Sequence, residues 1–238
     1  MKSLDQLQVK IFADGADLEG ILQLGRLPYI QGFTTNPTLM RESGITDYEV
    51  FSRQVLEHIR NRPVSFEVFS DEFDEMEVQA RQIAVWGKNV FVKIPVTNTR
   101  GESSLALIEK LSAAGIQLNV TALMPLEQVR QVSAAMGGRA RAFISVFAGR
   151  IADTGVDPMP LMKEAVEIIS PYPNQELIWA SPRELLNIFQ ADEIGCHVIT
   201  VTHGILRKLH LVGKSLEEYS LDTVKMFYSD AQRAGYQL

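Results

Sequence analysis

Short runs dense in Val, Ile and Phe recur along the chain, separated by longer stretches in which apolar residues return every three or four positions. The runs are VKIFAD (9–14), GFTTN (32–36), VSFEVF (64–69), NVFVKIPV (89–96), QLNVTAL (117–123), AFISVFA (142–148), ELIWAS (176–181) and HVITVTH (197–203). In the fourth, Val90, Phe91, Val92, Ile94 and Val96 leave no wet face, as in a strand covered on both sides. Between the runs, stretches such as YEVFSRQVLEHIR (48–60) and FDEMEVQARQIAVW (73–86) have the period of an amphipathic helix. Eight strands alternating with helices predict a parallel α/β sheet, and eight is the number that closes a (β/α)8 TIM barrel. An open doubly wound sheet is the rival. It usually opens on a glycine-rich first turn, and neither G-x-G-x-x-G nor a P-loop pattern occurs. The short link from Asp14 to Thr34 predicts a brief first helix over 17–24, and Leu221 to Ala234 predicts an additional C-terminal helix. No Gly/Ser/Pro linker divides the chain, so one domain is expected over residues 1–238.

Most of these strands carry a polar side chain in or near the C-terminal half: Asp14, Asn36, Glu67, Lys93, Asn119 with Thr121, Ser145, Ser181, and Thr202 with His203. A parallel barrel gathers its strand ends at one mouth, where residues distant in sequence converge. Strand ends that emerge into water are often polar for that reason alone. Glu67 and Lys93 have apolar neighbours on both sides, which that explanation fits poorly. Alternation puts Lys93 on one face with Phe91 and Pro95, and Val92 with Ile94 on the other. It likewise pairs Asn119 with Thr121 and Ser145 with Phe147. Pro95 has no N–H for the ladder, so the strand should end there with Lys93 at the mouth. Desolvation disfavours a charged amine, and a neutral amine attacks a carbonyl to form a Schiff base. Lys93 therefore reads as a nucleophile, the alternatives being a lysine that snorkels to solvent or pairs with Glu67.

Composition narrows the partners. Mean hydropathy is +0.01, and no apolar run reaches the ~18 residues of a membrane span, so no membrane association is expected. The first residues, MKSLDQLQVK, lack the apolar core of a signal peptide. A lone Cys196 leaves no internal disulfide and suits a reducing cytoplasm. Net charge is −6 without a basic run, which argues against nucleic acid as a partner. His58, His197, His203 and His210 show no metal-ligand spacing, and neither H-E-x-x-H nor G-x-S-x-G occurs, so no metal and no cofactor are expected. Met226 and Phe227 read most simply as core.

In WASPRE (179–184), Ser181 and Glu184 have capping-box spacing with Pro182 at the first helical position. A helix start there with Arg183 alongside is an anion site, at the end of the barrel where phosphate is often held, and Arg150 could add a second cation. Asp17 is the expected N-cap of the first helix.

Six motifs together resemble the transaldolase family, the Schiff-base barrel enzymes that include fructose-6-phosphate aldolase. They are ADGAD (13–17), TTNPTLM (34–40), VKIPVT (92–97), LNVTAL (118–123), SVFAGRIAD (145–153) and ASPRE (180–184), in the family's order and each at a predicted strand end. The resemblance covers Ile11 to the last helix and is to the short-chain branch. It implies Lys93 as the Schiff-base lysine and Asp14 as the base that takes the C4 hydroxyl proton. It implies that Glu67 and Thr121 hold a proton-shuttling water. Asn36 with Thr35, Asn119 and Ser145 would bind the dihydroxyacetone part of a sugar-phosphate donor beside Phe147, and Arg150, Ser181 and Arg183 its phosphate. The aldolase branch tends to carry Gln at position 67 and Tyr at 147, so Glu67 and Phe147 match the transferring branch. Val146 and the pair His203–Gly204 stand where the family more often has proline or small residues. The expectation is a cytoplasmic, homo-oligomeric transaldolase of the pentose phosphate pathway. The alternatives are an aldolase that releases free dihydroxyacetone and a non-catalytic sugar-phosphate-binding barrel.

Overall fold

A computed structural model describes residues 2–237. Eight parallel strands close a barrel in sequence order: β1 (Lys10–Asp14), β2 (Ile30–Thr34), β3 (Val64–Glu67), β4 (Val90–Pro95), β5 (Leu118–Leu123), β6 (Ala142–Val146), β7 (Gln175–Trp179) and β8 (Val198–Thr202), with β8 pairing back onto β1. Around them lie α1 (Leu18–Gly25), α2 (Pro37–Glu42), α3 (Tyr48–His58), α4 (Phe73–Ala84), α5 (Leu105–Ala113), α6 (Leu126–Met136), α7 (Ala148–Asp153), α8 (Pro158–Ile169), α9 (Leu186–Glu193), α10 (His203–Leu206) and α11 (Leu216–Ala234). This is the expected (β/α)8 barrel with an additional C-terminal helix.

Strand parity produces two apolar layers. Val92, Ile94, Val120 and Ile144 point outward and are buried with helix residues such as Met76, Ile108 and Val129. Phe12, Phe91, Phe143, Ile178 and Val198 point inward and form a separate cluster inside the barrel. Phe91 and Phe143 have ring centroids 4.4 Å apart, and Phe12 meets Phe143 edge-on at 5.4 Å, an arrangement aromatic quadrupoles favour. The cluster plugs the barrel below the next inward layer. That layer contains Asp14, Lys93, Asn119 and Ser145, each two residues beyond an inward apolar position or its register partner.

Local chemistry sets the boundaries. Asp17 caps α1 as expected, its Oδ2 accepting from the Gly20 amide at 2.7 Å. β2 runs over Ile30–Thr34 rather than to Asn36, because Asn36 caps the unexpected α2 and Pro37 opens it. The capping box expected at Ser181 and Glu184 is not formed, and Pro182 does not start a helix. Ser181 adopts φ +59, and α9 begins only at Leu186. The amides of Arg183 and Glu184 donate instead to Asn187 Oδ1, at 2.8 and 3.1 Å. The last helix starts at Leu216 because Ser215 caps it. Met226 and Phe227 are not core: they are 50% and 62% exposed, and α11 has no buried residue. No helix among the described residues is long and apolar enough to cross a membrane.

Candidate active site at the barrel mouth

Lys93 sits in β4 between Glu67 of β3 and Asn119 of β5, all three in register. Its side chain is 8% exposed and that of Glu67 is 16% exposed, and Nζ lies 3.0 Å from Glu67 Oε2. Nζ also donates to the Thr35 carbonyl at 3.1 Å. The pairing with Glu67 raised from the sequence is thus present, and it does not draw the lysine out to solvent. Glu67 is held in turn by Tyr48, whose hydroxyl donates to its carbonyl at 2.7 Å.

Asp14 closes the ring of polar residues from β1. It accepts from the Thr34 hydroxyl at 2.7 Å, and Thr34 Oγ1 also meets the Thr200 hydroxyl. Burial holds the Asp14 carboxyl above the ordinary carboxylate range, opposed chiefly by the positive charge of Lys93 and then by the Thr34 hydrogen bond. On the opposite wall Asn119 donates from Nδ2 to Ser65 Oγ at 2.9 Å and accepts from Ser145 Oγ at 2.7 Å. These three buried side chains brace one another, which fixes the orientation of the Asn119 amide. Thr121 Oγ1 is buried and has no hydrogen-bond partner among the described residues. Ala122, next to it, adopts φ +66 where the β5–β6 register shifts. A non-glycine residue in that region is uncommon; Ala122 is the penultimate residue of β5, and Ser181 lies two residues past the end of β7.

The side chains of Thr35 and Asn36 are engaged elsewhere. The Thr35 hydroxyl donates to the Ser65 carbonyl at 2.9 Å, so Thr35 reaches the mouth through its backbone carbonyl. The Asn36 amide oxygen caps α2 by accepting from Leu39 N at 3.0 Å.

Arg150, Ser181 and Arg183 are brought together by close contact between the start of α7 and the segment after β7. A Cβ on Gly149 would come 1.5 Å from the Ser181 carbonyl oxygen and 3.3 Å from Arg183 Nε, so only glycine allows this approach. Arg150 is exposed and its guanidinium lies 5.9 Å from the centre of the Phe147 ring. Arg183 makes a two-point contact with Asp153, Nε donating at 2.9 Å. That pairing holds the Asp153 carboxyl below its ordinary range. His203, first residue of α10, has Nε2 buried without a partner among the described residues, and burial lowers the basicity of its ring. A cavity of about 570 Å³ opens between α1 and α10 rather than over Lys93, with Asp17, Gly20, Tyr29, His203 and Arg207 in its wall.

Sequence reasoning did not single out Ser65, Thr34, Thr200, Tyr48 or Gly149. For the first three the signal was present: Ser65, Thr34 and Thr200 each stand two residues before a residue already singled out, Glu67, Asn36 and Thr202 respectively. Gly149 and Tyr48 act through contacts made only in the folded barrel.

A closed parallel barrel with a buried lysine–carboxylate pair and an arginine-bearing corner at its C-terminal mouth defines a (β/α)8 protein of the enzyme-bearing type. The chain belongs to the transaldolase/fructose-6-phosphate aldolase family, whose model matches residues 11–238. A "Probable transaldolase" of Streptococcus agalactiae is 37% identical over 218 residues, 90% of this chain and 97% of that one. One of Thermoanaerobacter sp. is 32% identical over 232 residues, 97% of this chain and 100% of that one. Another, of Dehalococcoides mccartyi, is 36% identical over 202 residues, 84% of this chain and 90% of that one. These relatives support an enzyme of this family. Among solved structures, 2,3-dimethylmalate lyase superposes with a TM-score of 0.56 at 12% identity, over 98% of this chain and 86% of that one, a likeness of fold alone.

Proposed function

We propose that the chain is a transaldolase, a single-domain enzyme of the cytoplasm that moves a dihydroxyacetone unit between sugar phosphates through a Schiff base on Lys93. The observation that carries this reading is the buried Lys93–Glu67 pair at 3.0 Å, set between Asp14 and the braced Asn119–Ser145 wall. The donor, a ketose phosphate such as sedoheptulose 7-phosphate or fructose 6-phosphate, enters with its phosphate towards Arg150, Ser181 and Arg183. Lys93 gives up a proton and its neutral amine adds to the C2 carbonyl. Glu67, with a water held against Thr121 Oγ1, moves protons as the carbinolamine loses water to form the iminium. Asp14 then takes the C4 hydroxyl proton, the C3–C4 bond breaks, and an aldose phosphate leaves. The C3 electron pair remains as an enamine, which adds to the aldehyde of an acceptor such as erythrose 4-phosphate or glyceraldehyde 3-phosphate. Reversal of the first steps frees the product ketose. Asn119 and Ser145, with Asn36 and Thr35 beside them, hold the three-carbon unit. Glu67 and Phe147 favour transfer over release of free dihydroxyacetone.

Self-association belongs to the same reading. Leu221, Val224 and Tyr228 stand at helical spacing on α11 and are 53%, 59% and 68% exposed, an apolar face that a second copy would cover. Reduction with borohydride in the presence of fructose 6-phosphate tests the chemistry. Mass spectrometry should find a dihydroxyacetone adduct on Lys93, and an adduct on another lysine, or none with any ketose phosphate, overturns it.

A further inference from the structure

His203 is used by no step above, yet the fold makes room for it at two places. A Cβ built on Gly15 would stand 2.9 Å from His203 Nε2 and 3.3 Å from Cε1. One built on Gly20 would stand 2.5 Å from Cε1 and 2.9 Å from Nδ1. Real side chains do not approach so closely, so the imidazole occupies space that exists only because both residues lack a Cβ. Gly15 immediately follows Asp14, and Gly20 lies in the first turn and a half of α1. The ring is therefore wedged between the turn that carries Asp14 and the helix that follows it. Its two nitrogens face different surroundings. Nδ1 and Asp17 Oδ2 both come within 3 Å of the same Gly20 Cβ position, at 2.9 and 2.6 Å. Nε2 lies over Gly15, buried and without a partner among the described residues. The backbone that the ring abuts is the turn directly after Asp14, which gives it a route to the chemistry through that turn.

We propose that His203 is a positioning residue for Asp14: its ring, seated in the Gly15–Gly20 cradle, fixes the turn that aims the Asp14 carboxylate at the reacting hydroxyl. This rests on Asp14 being the base of the proposed transaldolase reaction. The role fits the residue's place. Thr202 of β8 is the register partner of Asp14, so the residue after Thr202 flanks the residue after Asp14. It also gives the glycines of ADGADLEG a purpose beyond turn formation. Gly20 is helical and caps nothing itself, so alanine there would ordinarily strengthen α1.

The test is a double-mutant cycle of His203→Ala and Gly20→Ala, read as kcat per active site, where active sites are counted by borohydride trapping of Lys93. Gly20→Ala should lower kcat by roughly tenfold or more with KM little changed, since misplacement by ~1 Å costs up to about a hundredfold. His203→Ala should show the same split. Adding Gly20→Ala to His203→Ala should cause no further loss, because the ring it displaces is gone. His203→Phe, which keeps a ring in the cradle, should recover much of the lost rate. Unchanged kcat in both single variants, or a Gly20→Ala loss that persists without His203 and so runs through the Asp17 cap, overturns the proposal. If wild-type Lys93 is not trapped at all, it is the transaldolase reading that fails, and the two failures are distinguishable.

Discussion

Replacing Lys93 by Met should cost the protein stability, and by an amount the site itself indicates. Met keeps the apolar stem, one atom shorter, and removes the charge, leaving Glu67 buried with its 3.0 Å partner gone. Stranding one member of a buried ion pair typically costs ~3–5 kcal/mol. For a chain of this size that corresponds to a fall of roughly 10 °C in melting temperature. Asp14 loses the positive charge that most opposes its desolvation, so its carboxyl, already held high by burial, moves higher still. The sign of the pH dependence follows. The folded variant binds more protons than the unfolded chain, so its stability falls as pH rises. The deficit relative to wild type should therefore be larger at pH 8 than at pH 5, in the sense set by the raised Asp14 carboxyl. Glu67→Gln in the same background removes the stranded charge and should restore most of the loss. The assay is urea unfolding of wild type, Lys93→Met and Lys93→Met/Glu67→Gln at both pH values. A single variant as stable as wild type at pH 8, or a deficit independent of pH, would refute the electrostatic account of this pair.

Lys93→Arg should fold yet give no borohydride adduct and no turnover, since a guanidinium stays protonated; a trapped adduct in this variant sinks Lys93 as the nucleophile. Arg183→Ala should raise KM for phosphorylated donors by roughly tenfold, with kcat reduced less, while non-phosphorylated sugars are indifferent; equal weakening of both would remove Arg183 from the phosphate site. Thr34→Val deletes a hydrogen bond that favours the Asp14 carboxylate, so the acid limb of kcat should move to higher pH, and a limb that stays put would mean Asp14 is not the group observed. Phe147→Tyr should raise the release of free dihydroxyacetone from fructose 6-phosphate without acceptor, and Glu67→Gln should raise it further, because a phenol can orient the water that protonates and releases the enamine. Rapid release by the wild type would instead favour the aldolase reading.

The fold and the polar ring were legible because strand periodicity fixes both at once. Alternation put Lys93 with Phe91, Asn119 with Thr121 and Ser145 with Phe147 on shared faces, and the barrel buries Phe91, Lys93, Asn119 and Ser145 together in its interior. Asp17 was legible as a cap because the side chain and the amide it serves lie three residues apart. What failed were inferences that depended on where the chain goes next. Ser181-x-x-Glu184 has the spacing of a capping box, but the segment first makes a left-handed turn at Ser181 so that its carbonyl can pass over Gly149. That turn is a tertiary requirement with no local signature. Thr35 sits in a binding motif, yet its hydroxyl is spent on the neighbouring strand. The pattern of α11 announced an apolar face around Phe227 but not that the face lies outside this chain's own core.

Burial of the Lys93–Glu67 pair acts on stability and on the proposed chemistry in opposite senses. Two charges taken from water gain from one another about what they lose in hydration, so the pair adds little to the fold even though breaking it is damaging. Moving one proton from the ammonium to the carboxylate converts the pair to a neutral amine and a neutral acid. In water that transfer would forfeit the hydration of two ions; in this site most of that hydration has already been surrendered. In the proposed reaction the proton that Lys93 gives up has a carboxylate 3.0 Å away to receive it. Asp14 has different surroundings, a hydroxyl at 2.7 Å and no directly paired cation among the described residues, and burial makes its carboxylate a stronger base than one in water. Two carboxylates in one mouth are thereby separated in role by their neighbours. In the proposed reaction Glu67 would stand beside the amine to exchange its proton, and Asp14 would take the hydroxyl proton released when the carbon–carbon bond breaks.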